Sequence, residues 1–284
     1  MLNRRSAILA VTGVAGVALA AGPLAMSGSA TAVGHSPSNR LKPTVVLVHG
    51  AWADASSWNG VTERLQADGY TVTAPANPLR GLSSDARYLA DYLKTINGPV
   101  VLVGHSYGGA VITNAATDNP NVRALVYVAA FAPDKGESAS ALGAKFPGSH
   151  LSDDPDAPVP TALNAIPFTQ PDGSTGIDLY IKPDKYRDVF LSNTLSRKTA
   201  AALAASQRPI TPQALGEPSG TPAWKTIPSY YLIATDDNTL PPAAQKYMAD
   251  RAHARTVKAK APHAATLTSP DAVTRLIEDA ATTK

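Results

Sequence analysis

The chain has 284 residues, 44% hydrophobic and 17% charged, enough for one substantial globular core with room for an inserted subdomain. It contains no cysteine, which excludes a thiol nucleophile, a thiolate metal site and a lipid-modified cysteine anchor. The formal charge of +3 falls to +1 once Arg4 and Arg5 of the leader are set aside, so charge gives no reason to expect a nucleic-acid partner.

The first 32 residues predict an export signal. Arg4 and Arg5 precede an Ala/Gly/Val-rich apolar stretch, and Ala30-Thr31-Ala32 fits a small-residue cleavage site. The paired arginines fit a twin-arginine route. The apolar run is short and broken by Gly22-Pro23, which favours cleavage over a stable membrane anchor. A secreted mature protein is the expectation. Residues 33–42 are polar and predict a flexible lead-in.

Then strand and helix patterns alternate. "TVVLVHG" (Thr44–Gly50) is a continuous apolar run ending in glycine, as suits a strand buried on both faces of a parallel sheet. Ser57–Asp68 carries Trp58, Val61 and Leu65 at helical spacing. "YTVTAPA" (Tyr70–Ala76) predicts the next strand. Ser84–Ile96 predicts a helix with Tyr88, Leu89, Tyr92 and Leu93 and with Ser83 or Ser84 as cap. "PVVLVGH" (Pro99–His105) is a strand, followed by a helix from Tyr107 to about Asp118, then a strand over "RALVYVAAF" (Arg123–Phe131).

From Pro133 to Pro228 the alternation stops. This stretch is rich in Pro, Asp and Ser, with a hairpin turn in "QPDGSTG" and a helix over Ser196–Gln207. Leu179, Tyr180, Ile181, Tyr186, Val189, Phe190 and Leu191 predict a folded cap at residues 133–228, between two parts of a core at residues 43–132 and 229–284. Beyond it, "SYYLIAT" (Ser229–Thr235) is a strand, Pro242–Ala252 a helix and "ARTVKAK" (Ala254–Lys260) a more polar edge strand. The closing helix, Ser269–Ala281, has proline in its first turn. The fold class is therefore α/β, a mostly parallel doubly wound sheet of about six strands with an inserted cap.

Gly104-His105-Ser106-Tyr107-Gly108 has the G-x-S-x-G pattern at the end of a predicted strand and the start of a predicted helix. A sharp turn there strains the serine, small neighbours avoid adjacent strands, and the helix N-terminus faces developing negative charge. Ser106 is the expected nucleophile and needs a base. Of six histidines, His35 lies in the lead-in, His150 in the cap and His253 in a helix end. His49 is expected to shape an oxyanion loop and His105 to point away from Ser106. His263, just after the last strand, is the expected base. A carboxylate must orient it. Asp237 is preferred, with Asp236 and Asp134 as alternatives. The oxyanion donors are the N–H of Tyr107 and, after the first strand, that of Ala51, with Trp52 next. Trp52 and Trp58 fit either pocket wall or core. No metal ligands are assigned.

The motifs "LVHGAWADASSW", "VLVGHSYGG", "YYLIATDDNTLPP" and "APHAATLTSPDAV" make the chain similar to the α/β-hydrolase superfamily, closest to its compact esterase and hydroxynitrile-lyase-like branch. The resemblance spans nearly the whole mature length and speaks to fold and triad rather than to substrate. It implies a Ser106–Asp237–His263 triad, Ala51 and Tyr107 as oxyanion donors, a lid, no cofactor, and a small-molecule ester as partner. The superfamily's leading antiparallel hairpin is missing from the pattern. Dehalogenase and epoxide-hydrolase relatives carry aspartate where Ser106 stands. Plant hydroxynitrile lyases carry lysine after the catalytic histidine, where this chain has Ala264.

Overall fold

The structure, a computed structural model, describes residues 42–283; the expected export signal and residues 33–41 of the lead-in lie outside the described residues. Six strands form one parallel sheet: β1 (Thr44–Val48), β2 (Val72–Thr73), β3 (Val100–His105), β4 (Val122–Val128), β7 (Ser229–Ala234) and β8 (Arg255–Ala259). Their spatial order is β2-β1-β3-β4-β7-β8. The unbroken apolar runs have a simple cause. Val46, Val48, Val100 and Leu102 face one core, which includes α2 (Leu82–Leu93) and α3 (Tyr107–Ala115). Val45, Leu47, Val101 and Val103 face the other, under α1 (Asn59–Ala67) and the closing helix (Pro270–Ala281). A strand covered on both sides cannot alternate with polar residues.

Several elements differ from expectation in extent, as where α3 ends at Ala115 rather than about Asp118, and two of these differences have a traceable cause. The strand expected at Tyr70–Ala76 shrinks to β2, paired with β1 alone at Val72 and Thr73. It has one neighbour, and Pro75 lacks the N–H that a longer ladder would use. Helix α2 starts at Leu82 rather than Ser84, with Gly81 as an N-cap that has no side chain to offer. The Ser83 N–H instead donates to the Glu217 carboxylate at 3.2 Å, so the cap comes from a distant segment.

Between β4 and β7, residues 133–228 hold α4 (Ala139–Ala144), the antiparallel hairpin β5 (Leu163–Thr169) and β6 (Thr175–Ile181), α5 (Pro183–Val189), α6 (Arg197–Ser206) and α7 (Pro212–Gly216). The hairpin turns within "QPDGSTG": the Gly173 N–H donates to Gln170 O, and the Asp172 carboxylate accepts from the Ser174 N–H. Ser196 caps α6 by accepting from the Thr199 N–H at 3.1 Å. Leu179, Ile181, Tyr186, Val189, Phe190 and Leu191 pack into the core that lies on the α3 face of the sheet. Helix α8 (Pro242–Arg251) separates β7 from β8. No helix among the described residues is long and apolar enough to cross a membrane.

Candidate active site

Ser106 stands between the end of β3 and the first residue of α3, with φ 53° and ψ −125°. A non-glycine residue there is strained by about 1–3 kcal/mol. The surroundings leave no other path. A Cβ on Gly104 would lie 2.6 Å from the Gly108 carbonyl oxygen, and one on Gly108 would lie 2.5 Å from the Val48 carbonyl oxygen. These are backbone atoms that cannot rotate away, so both positions need glycine for α3 to start against β1 and β3. The Ser106 carbonyl accepts from the N–H groups of Gly109 and Phe131, which anchors the turn.

The loop after β8 brings His263 to the same place. Its Nε2 lies 2.8 Å from Ser106 Oγ, and its Nδ1 lies 2.7 Å from Asp237 Oδ2. The carboxylate only accepts, so Nδ1 carries the proton. In the neutral ring Nε2 is then free to accept from the serine hydroxyl. His263 is buried, and so are Ser106 and Asp237. Asp237 is held on both oxygens: Oδ1 accepts from the Thr239 and Leu240 N–H groups at 2.7 and 2.8 Å, and Oδ2 also accepts from Gln245 Nε2 at 2.8 Å.

The other acids sit elsewhere. The Asp236 carboxylate accepts from the Thr235 hydroxyl, one residue away. Asp134 pairs with Lys225 at 2.6 Å, and that ammonium holds its carboxyl below the usual range. Neither meets His263, which leaves Asp237 as its carboxylate partner.

The remaining described histidines have other partners. The His49 ring accepts from the Asn77 N–H at 3.0 Å through Nε2, so its Nδ1–H faces the Gly50 carbonyl at 2.9 Å. It ties the end of β1 to the 77 loop, and burial lowers its pKa. His105 makes no hydrogen bond to Ser106, but it is not remote from the site. Its Nε2–H donates to the His263 carbonyl at 2.8 Å, with the two rings 4.8 Å apart. Burial pushes its pKa down to about 3, so it is a neutral prop rather than a base. His150 pairs with Asp188, and His253 is exposed at the end of α8.

Of the candidate oxyanion donors, Trp52 is committed: its N–H donates to the Arg208 carbonyl at 2.9 Å. Among the described residues, the Ala51 and Tyr107 N–H groups donate to no protein acceptor. Tyr107 is the first residue of α3, where an N–H has no partner within the helix. Its hydroxyl is anchored on the buried Asp85 carboxylate at 2.9 Å. The indole of Trp52 donates to Leu179 O, whereas Trp58 is wholly buried in the opposite core.

Gln245 and the contacts of His105 and Trp52 are the parts that residue patterns miss. His105 and Trp52 lie within motifs that single out their neighbours, and Gln245 has no motif around it, so none of these partners can be read from spacing. Among the described residues no group of three or more His, Asp or Glu side chains could hold a metal ion.

Residues 45–276 match the alpha/beta hydrolase family. The chain is 30% identical over 264 residues to the alpha/beta hydrolase nvfD of Aspergillus novofumigatus, covering 85% of this chain and 97% of that protein. It is 37% identical over 110 residues to a carbendazim-hydrolyzing esterase of a Nocardioides species, covering 34% of this chain and 46% of that one. Among solved structures, polyneuridine aldehyde esterase superposes with a TM-score of 0.69 at 21% identity, covering 84% of this chain and 98% of that one.

Proposed function

This chain belongs to the alpha/beta hydrolase family, and from that premise we propose that it is an exported serine hydrolase of small to medium carboxylic esters or lactones. The observation that carries the reading is the unbroken hydrogen-bonded chain from Ser106 Oγ through His263 to Asp237, at 2.8 and 2.7 Å. A serine whose hydroxyl meets an unprotonated imidazole nitrogen is an activated nucleophile.

The steps follow from the tautomer and the free donors. Ser106 attacks the ester carbonyl as His263 Nε2 takes its proton. Asp237 keeps Nδ1–H in place and stabilises the imidazolium that forms. The oxyanion is stabilised by the N–H groups of Ala51 and Tyr107, with the N-terminus of α3 adding its partial positive charge. The imidazolium then protonates the leaving alcohol, which leaves an acyl-enzyme. Water deprotonated by His263 cleaves it and returns Ser106 to its hydroxyl form. The esterase relative supports an ester as substrate. The insertion between β4 and β7 caps the site and shapes its acyl and alcohol pockets. Export rests on Arg4-Arg5, the apolar segment and Ala30-Thr31-Ala32, with cleavage after Ala32.

The test is Ser106→Ala with p-nitrophenyl acetate on the mature protein. Turnover should fall by at least about 10³-fold with the melting temperature unchanged to within a few degrees. Wild-type-like turnover in the alanine variant removes the proposal.

A further inference from the structure

A second strained residue stands beside the site. Trp52 follows Ala51 and has φ 58°, a left-handed backbone that a bulky residue rarely adopts. Such a conformation persists only where the surroundings over-determine it. Here its N–H donates to Arg208 O at 2.9 Å, its indole N–H to Leu179 O at 3.0 Å, and its carbonyl accepts from the Tyr186 hydroxyl at 2.8 Å. All of these partners belong to the 133–228 insertion. Tyr186 is the one that acts through a side chain. The Trp52 residue so held shares a peptide bond with Ala51, whose N–H is the oxyanion donor in the reading above.

The same short segment reaches the other two loops of the site. The Val189 carbonyl accepts from the Thr239 hydroxyl at 2.7 Å, and Thr239 is one of the N–H donors to Asp237. The Phe190 carbonyl accepts from the Ala264 N–H at 3.2 Å, next to His263, and the Phe190 ring meets the His263 ring edge-on at 5.2 Å. A lid that swings as a whole would break all these contacts in every catalytic cycle.

We propose that Tyr186 is a positioning residue for ester hydrolysis. Its hydroxyl fixes the Trp52 carbonyl, and with it the turn that aims the Ala51 N–H at the oxyanion. Segment 186–190 is then a fixed brace, and substrate enters elsewhere along the insertion. This rests on the serine-hydrolase reading.

The test is Tyr186→Phe, assayed with p-nitrophenyl acetate beside Ser106→Ala. Loss of one hydrogen bond that orients an oxyanion donor should lower kcat about tenfold, with KM within twofold of wild type. The affinity for an alkyl trifluoromethyl ketone, whose serine adduct carries an oxyanion, should fall by the same factor. A purely structural role would lower the melting temperature and leave both quantities unchanged, and that result overturns the proposal. If Tyr186→Phe does not fold, Trp52→Phe removes the indole bond from the same turn. It must show the same loss in kcat at constant KM, and an unchanged kcat overturns the inference. Full turnover in Ser106→Ala would instead sink the hydrolase reading itself, so the two failures are distinguishable.

Discussion

Ser106 and Trp52 hold nearly the same left-handed φ, 53° and 58°, by opposite means. At Ser106 the means are local. Gly104 and Gly108 flank it within the strand-to-helix turn, and the more distant requirements are the close approach of β1 and the Phe131 N–H on its carbonyl. At Trp52 they are remote, since Leu179 and Tyr186 lie 127 and 134 positions away in the chain. In the proposed reaction the sheet places the attacking oxygen through steric fit, and the insertion places the proposed oxyanion turn through hydrogen bonds. Steric fit against backbone tolerates no side chain. Hydrogen bonds can be removed singly, so the insertion is where activity can be tuned without unfolding the sheet.

Asp237 lies where the two regions meet, so it offers the most severe way to break the comparison. It is held from the sheet side by Gln245 of α8, while Thr239 ties its loop to the insertion through Val189. An amide in place of the carboxylate cannot accept from His263, Gln245, Thr239 and Leu240 together. Its NH₂ must face one of those donors, and a flip toward His263 forces the wrong tautomer. Asp237→Asn should therefore lower kcat by about 10³–10⁴-fold with the fold retained. Asp134→Asn, which only loses the Lys225 pair, is the control and should leave kcat unchanged. The reverse result would move the acid to Asp134, at the start of the insertion after β4.

What could be read from residues alone follows the same division. The parallel sheet was legible because strands covered on both faces must be apolar throughout, and Ser106 because its glycines are its sequence neighbours. His263 emerged by elimination among six histidines. Asp237 is preferred over Asp236 in the sequence, but by little, since adjacent residues share almost every pattern. What distinguishes them is which carboxylate receives the Thr239 and Leu240 N–H groups. Gln245 and Tyr186 carry no motif, and the motif that holds His105 leaves its position open to any residue. Their roles exist only once distant segments are packed together. The Glu217 cap on α2 differs from expectation for the same reason.

His105 tests the sheet side at a smaller scale. Its ordinary pKa is 6.5, and burial takes it to about 3 in the folded chain. Below pH 6.5 the unfolded chain binds a proton that the folded chain refuses, so stability falls as the pH drops toward about 3. His49, also lowered by burial, acts with the same sign. For one such histidine the loss between pH 7 and pH 5 is about 2 kcal/mol. His105→Gln keeps an N–H donor for the His263 carbonyl but does not titrate. In urea unfolding it should lose about 2 kcal/mol less than wild type over that interval. An equal loss in both proteins would mean that His105 is protonated within the fold.

The smallest effect belongs to the insertion, away from the brace. Gly216 closes the short helix α7, and a Cβ there would have no atom within 4 Å. Its conformational freedom is therefore a cost to folding without a steric role, unlike that of Gly104, where a Cβ would strike backbone. Gly216→Ala should stabilise the protein by about 0.4–1 kcal/mol, a rise of about 1–4 °C in melting temperature. It should not change kcat, because α7 makes none of the contacts to Trp52, Thr239 or Ala264. A gain in stability accompanied by a loss of kcat would extend the coupling from segment 186–190 to the far side of the insertion. An unchanged kcat confines that coupling to the few residues whose hydrogen bonds reach the catalytic loops.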